Sequence, residues 1–404
     1  MQDSASNALG LYFSVPFCKA KCTYCNFASG VYPTREHGRY VNRLIADLEA
    51  SAKWAEGIGV ELPRTVDTIY FGGGTPVLLD GALFAEIFGA IRRIFAVNKD
   101  AEITVECAPG QLSDATLAAM VEAGVNRVSL GVQSFVDREA SLSGRLHTRA
   151  MVLEDLRRLR AAGIANLNID LLAGLAEQTL ASWRESLAVL VEAETPHASV
   201  YMLEIDEDSR LGRELISGGA RYSAGLVPSD DAIARMYEEA VATLASAGLK
   251  QYEISNFAQP GFESAHNLRY WQRRPYLGLG LDASSMLCAT DGLVLRTTTT
   301  DDLGVYLEGS GSLETAWLGP VQQLEEAWFL GLRRNSGVAI EEIRAEFGAE
   351  AVASSLEVTR RLAGDGLLAI DGGRVRLTER GRMISNDVFG EFLGLASQPV
   401  GGLV

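Results

Sequence analysis

Positive charge is scarce in this chain: 36 Lys and Arg face 52 Asp and Glu, a net charge of −16 over 404 residues. That deficit excludes a broad electrostatic grip on nucleic acid or anionic lipid. No apolar run approaches the roughly 20 residues of a spanning helix. Residues 1 to 10 lack both a basic start and an apolar core, so no secretory leader is expected. Cysteine is sparse and odd in number, at five, which fits no disulfide framework. A cytoplasmic protein is expected, where thiols stay reduced, with peripheral contact at a membrane as the variant.

Against these absences stands one concentration. Cys18, Cys22 and Cys25 fall within eight residues, spaced C-x3-C-x2-C, after a strand-like run that Pro16 ends. A short loop of this kind can give one thiolate to each of three irons of a [4Fe–4S] cube, leaving the fourth iron open. An open iron can chelate the amino and carboxylate groups of S-adenosylmethionine and pass an electron to its sulfonium. A closed zinc site is the competing reading, but it needs four ligands, usually in two separated pairs.

From Leu11 to about Val200 short β-branched runs alternate with helical periodicity, the pattern of a parallel sheet covered by helices. Six strands are predicted, at Leu11–Val15, Val66–Phe71, Glu102–Glu106, Arg127–Gly131, Ala165–Leu171 and Ala198–Leu203, and they suggest a partial barrel. Chemistry in such folds collects at the carboxyl ends of the strands. There stand Gly72-Gly73-Gly74-Thr75-Pro76, Glu106, Gln133 and, within an apolar run, Asp170. A buried Asp170 needs a partner, and Arg145 is a candidate. Cys107 and Cys288 read as small buried hydrophobes.

The cysteine spacing, with Tyr24 before the last cysteine, resembles the radical-SAM superfamily. Tyr12, the three cysteines, Gly73, Gly74, Thr75, Glu106, Gln133, Arg145 and Asp170 resemble the oxygen-independent coproporphyrinogen III oxidase family more closely. That resemblance implies two bound S-adenosylmethionine molecules. Tyr12, Gly73 and Glu106 would contact the one on the cluster; Tyr24, Gly74, Thr75, Gln133, Arg145 and Asp170 would contact the second.

Two further stretches, Tyr252-Glu253-Ile254-Ser255-Asn256-Phe257-Ala258 and His266-Asn267-Leu268-Arg269-Tyr270-Trp271, resemble the heme chaperone subgroup of that family. Phe27 stands where the oxidase has a fourth cysteine, and only 17 residues precede Cys18. The implied activity is heme binding and delivery to recipient hemoproteins such as membrane-bound respiratory enzymes, with cluster and S-adenosylmethionine as cofactors. Radical decarboxylation of coproporphyrinogen to protoporphyrinogen is the alternative. His266 is the implied heme contact, because neutral imidazole is a common axial ligand. The chain departs from the family at Leu281-Asp282, where Pro-Gly is usual, and at Ala108, where Asn is usual.

The expected fold is α/β, a radical-SAM partial TIM barrel of about six β/α units followed by a winged-helix-like α+β domain. The expected divisions are 1–205 for the barrel, 206–312 for an extension carrying the two motifs, and 313–404 for the C-terminal unit. A helix over Asp230–Leu249 would pack Ile233, Met236, Tyr237, Ala240, Val241 and Leu244 on the barrel. Gly309 to Ser312 reads as a linker. From Gly319 onward nine Arg face twelve Asp or Glu, so the last domain reads as a cover rather than a DNA reader. A monomer or weak homodimer is expected.

Overall fold

The computed structural model describes residues 8–394 apart from 310 and 312; the serines of the expected linker, and the first seven residues, therefore lie outside the described residues. Six parallel strands form in the predicted order: β1 Leu9–Val15, β2 Thr65–Gly73, β3 Ala96–Cys107, β4 Arg127–Gln133, β5 Asn166–Ala173 and β6 His197–Met202. Helices between them cover the outer face. The first, Arg35–Gly57, buries Tyr40, Val41, Leu44 and Leu48, the apolar stripe that its three- and four-residue spacing dictates.

Alternation along the strands sorts side chains to two faces. On β1, Leu11, Phe13 and Val15 are fully buried in the apolar layer under the helices. Tyr12 and the matching residues of the other strands point the opposite way, so the interior of the half-barrel is polar.

The sheet then continues beyond the barrel in both directions. Strands β7 Lys250–Gln251 and β8 Asn256–Ala258 extend the β6 edge, while β9 Tyr276–Gly280 pairs with β1 and leads into β10 Ser284–Cys288, β11 Val294–Thr298 and β12 Glu314–Leu318. Twelve strands form one sheet in the order β12-β11-β10-β9-β1-β2-β3-β4-β5-β6-β8-β7. The chain therefore leaves the sheet at β8, beside β6, and rejoins it at β9, beside β1. The short helix Ala265–Trp271 spans that gap.

The helix Asp230–Ser246 buries Ile233, Met236, Tyr237, Ala240 and Leu244, as its pattern predicts. Residues 314–318 pair with β11 and so belong to the large sheet. Beyond them, helices Pro320–Arg333, Ile340–Phe347 and Ala353–Gly364 carry a small sheet of β13 Val338–Ala339, β14 Leu368–Asp371 and β15 Arg374–Leu377, in the order β13-β15-β14. Gly372 and Gly373 turn the hairpin with positive φ. This winged-helix arrangement has its own core around Trp328, Leu332, Val375 and Phe392. Arg273 clamps it to the body through both carboxylate oxygens of Glu346, each at 2.6 Å.

Cys288, expected to be buried, is exposed at the end of β10, whereas Cys107 is buried. Cys288 shares its face with buried Met286 but is the last residue of β10, where the strand runs out to the surface. At the Leu281-Asp282 departure Asp282 takes φ 54°, the left-handed region in which glycine carries no side-chain penalty.

No helix among the described residues is long and apolar enough to cross a membrane.

Candidate cofactor site

The cysteine loop leaves β1 at Pro16 and folds back on itself. Cys18 N–H donates to Gly30 O at 2.8 Å, and Gly30 N–H to Pro16 O at 2.9 Å. Lys21 closes the loop from within: its ammonium donates to the carbonyls of Phe27 and Ser29 and to Ser29 Oγ. The far side is tied by Thr23 N–H to Ser143 O at 3.0 Å and by Leu211 N–H to Thr23 O at 2.8 Å.

So held, Cys18, Cys22 and Cys25 line one cavity of about 540 Å³ at the carboxyl ends of the strands. All three are free thiols. Thr75 Oγ1 donates to Cys18 Sγ at 3.9 Å and Arg145 Nη1 to Cys22 Sγ at 3.5 Å. Burial pushes the Cys18 thiol pKa up, which opposes a free thiolate there.

The Gly-rich turn after β2 is shaped by close approach. Gly74 N–H donates to Val15 O at 2.7 Å. A Cβ at Gly74 would lie 2.8 Å from the Phe17 and Val15 carbonyls and 3.0 Å from Cys18 Sγ, so no other residue fits. On β4, pairing with β5 skips a residue between Gly131 and Gln133, and Gln133 adopts φ 70°. This bulge re-aims Gln133 into the cavity. A Cβ at Gly131 would sit 2.6 Å from Arg145 Nη2.

The predicted site residues converge on this cavity with two exceptions. Tyr24, Gly73, Gly74, Thr75, Glu106, Gln133, Arg145 and Asp170 all line it with the cysteines. Tyr12 stands behind it, its ring 6.1 Å from that of Tyr70, which does line it. His266 is 1 % exposed and lies outside it. The His266 Nδ1 pairs with Thr68 Oγ1 at 2.9 Å and Nε2 with Tyr270 OH at 2.8 Å. In this conformation neither ring nitrogen is open to a metal. Burial, helped by the charge of Arg127, pushes its pKa down to about 3, so the ring is neutral.

Arg145 is not the partner of Asp170. It reaches Gly131 O and Cys22 instead. Asp170 accepts from Ser129 Oγ at 3.0 Å and Asn168 Nδ2 at 2.7 Å. Burial raises its pKa, and these bonds oppose the rise. Glu106 accepts from Tyr70 OH at 2.8 Å; burial, with Asp170 nearby, pushes it up to about 7. Sequence reasoning took strand tips and so missed the inward residues further back, Tyr70, Arg127, Ser129, Asn168 and Ser199, which form the floor. The alternation Asn168-x-Asp170 was the available signal.

The two motifs of the extension support that floor. Asn256 Oδ1 accepts from Ser199 Oγ at 2.7 Å, and Tyr252 OH meets His197 Nε2 at 2.9 Å, while His197 Nδ1 meets Asn168 Oδ1 at 2.6 Å. Across the gap, Glu102 caps the helix Ala265–Trp271 through the N–H groups of Ala265 and His266, both at 2.9 Å. Buried Arg269 of the same helix is paired with Asp67 and donates to Ala8 O and Pro275 O.

The donor set fits an iron–sulfur cube. Among the described residues no three His, Cys, Asp or Glu side chains close on a single metal ion. Thiolates that each bind a different iron of one cluster are instead held apart by its width. The cube would supply the electron, and the glycine turn, Glu106, Gln133, Arg145 and Asp170 offer the polar contacts around an adjoining cofactor.

A half-barrel bearing this loop and cavity is that of a radical-SAM protein, and comparison agrees: residues 12–190 match the radical SAM superfamily and residues 318–384 the HemN C-terminal domain. The chain is 33 % identical to the heme chaperone HemW of Lactococcus lactis, over 95 % of this chain and 96 % of the relative. It is 33 % identical to that of Bacillus subtilis, over 95 % and 98 %, and 32 % to that of Escherichia coli, over 95 % and 98 %. The chain belongs to the HemW heme chaperone family. The coproporphyrinogen III oxidase HemN of Escherichia coli shares its fold, with a TM-score of 0.81 at 23 % identity over 97 % of this chain and 91 % of that one.

Proposed function

We propose that this protein is a heme chaperone that carries a [4Fe–4S] cluster on Cys18, Cys22 and Cys25, binds S-adenosylmethionine in the adjoining cavity, and delivers heme to recipient hemoproteins. The observation that carries the cofactor reading is the convergence of three free thiols, the glycine turn and a ring of polar strand-end residues on one cavity. The heme step rests on the family to which the chain belongs. Gly73 and Glu106 within the cavity, with Tyr12 behind Tyr70, are the contacts for S-adenosylmethionine on the cluster, and Tyr24, Gly74, Thr75, Gln133, Arg145 and Asp170 those for the second. For His266 to ligate heme iron, the helix Ala265–Trp271 must first release Thr68 or Tyr270.

The test is transfer. Heme-loaded protein mixed with an apo-hemoprotein shifts the Soret band to that of the recipient, while coproporphyrinogen, S-adenosylmethionine and reductant yield no protoporphyrinogen. Robust protoporphyrinogen formation without heme transfer overturns the proposal.

A further inference from the structure

Much of the polar interior of the half-barrel is matched by hydrogen bonds, but a cluster of buried polar atoms around Arg127 is not. It is the first residue of β4, in register with Thr104 of β3 and Asn166 of β5. Its side chain is 1 % exposed and lines the floor of the cofactor cavity. Among the described residues its guanidinium forms no ion pair, and its Nε is buried without an acceptor. Thr104 Oγ1 and Asn166 Oδ1, on either side, are unpartnered as well.

A permanently charged fork of five donors taken out of water needs acceptors in contact. Its neighbours do not provide them. The carboxylates of Glu106 and Asp170 feel its charge, but among the described residues neither forms an ion pair with it; Glu106 accepts from Tyr70, and Asp170 from Ser129 and Asn168. His197, His266, Tyr252 and Tyr70 also feel its charge, and each is committed elsewhere or faces it with a proton donor.

We propose that Arg127 is the anion receptor of the cavity floor, taking a carboxylate of the ligand that enters past the cysteine loop, with Glu106 and Asp170 beside it for a cationic or hydroxyl-bearing part of that ligand. Guanidinium is matched to this task because two parallel N–H groups meet both carboxylate oxygens. The inference rests on the cofactor reading above, in which two ligands carry carboxylates: S-adenosylmethionine at its methionyl end and heme at its propionates.

The test uses the full chain, reconstituted anaerobically, titrated with two pairs of ligands: S-adenosylmethionine against its decarboxylated form, and heme against its dimethyl ester. The acid-to-neutral affinity ratio falls about tenfold or more in Arg127→Gln for one pair, which identifies the source, and Arg127→Lys recovers part of it. Chelation by the cluster contributes equally to wild type and variant and cancels. Unchanged ratios in both pairs overturn the proposal. A wild-type crystal structure with each acid gives the second reading, independent of how the variants fold: a carboxylate on Arg127 supports the inference, and water alone there overturns it. If wild type binds neither acid, the functional reading fails along with the inference; if it binds them and Arg127 is indifferent, the inference alone fails.

Discussion

Around the cysteine loop, thiols and a guanidinium face an open cavity with acceptors and donors left over; around the helix Ala265–Trp271, whose Asn267 reaches the same cavity, nearly every polar atom is matched. Both regions are written in residues that bind metals or charges elsewhere, cysteine and arginine in one, histidine and arginine in the other. What separates them is partnering. A side chain whose hydrogen bonds are already spent contributes to stability, and one held rigid with bonds unspent is available to a ligand.

The largest effect that would break this contrast is at the glycine turn. Gly74→Val should abolish cluster loading, because its Cβ collides with two carbonyls and with Cys18 Sγ; normal iron content would mean that the turn does not shape the site. His266→Ala should cost about 2–4 kcal/mol in denaturant unfolding, for a buried ring lost and for Thr68 and Tyr270 left unpaired. It should leave cluster loading intact. If that variant instead keeps its stability and loses heme, the ring leaves its pocket to bind iron and the division between the two regions dissolves.

Titration sharpens the comparison, since the regions respond with opposite sign. Glu106, raised by burial from the ordinary range near 4.5 to about 7, takes up protons on folding, so its contribution is complete below about 4.5 and lost as pH rises toward 7. His266, pushed from 6.5 to about 3, sheds protons on folding, so its contribution is present above 6.5 and lost as pH falls toward 3. In the cofactor-free chain, Glu106→Gln should remove a falling slope of stability between about pH 4.5 and 7. His266→Ala should remove a rising one over the acid limb. The smallest expected effect is at Cys288→Ser, exposed at a strand end, which should change stability by less than about 0.5 kcal/mol and lower the count of titratable thiols by one.

Much of this was legible beforehand. The six barrel strands follow from β-branched runs, and the gathering of three thiols on one short loop from their spacing. Glu106 was found as a carboxylate at a strand tip, and Asp170 as one that interrupts an apolar run. What was not legible depends on pairs distant in sequence: that His266 meets Thr68, that Arg145 turns to Gly131 rather than Asp170, and that Glu102 caps a helix some 160 residues later. Arg127 escaped notice because it opens its strand, where a charged residue normally reaches solvent, whereas here it is 1 % exposed.

Iron analysis after anaerobic reconstitution tests the central claim most directly. Wild type should hold about four irons per chain with brown absorbance near 400 nm, and Cys22→Ser should lose both while its far-ultraviolet circular dichroism and unfolding midpoint stay close to wild type. Wild-type iron content in Cys22→Ser would contradict the account.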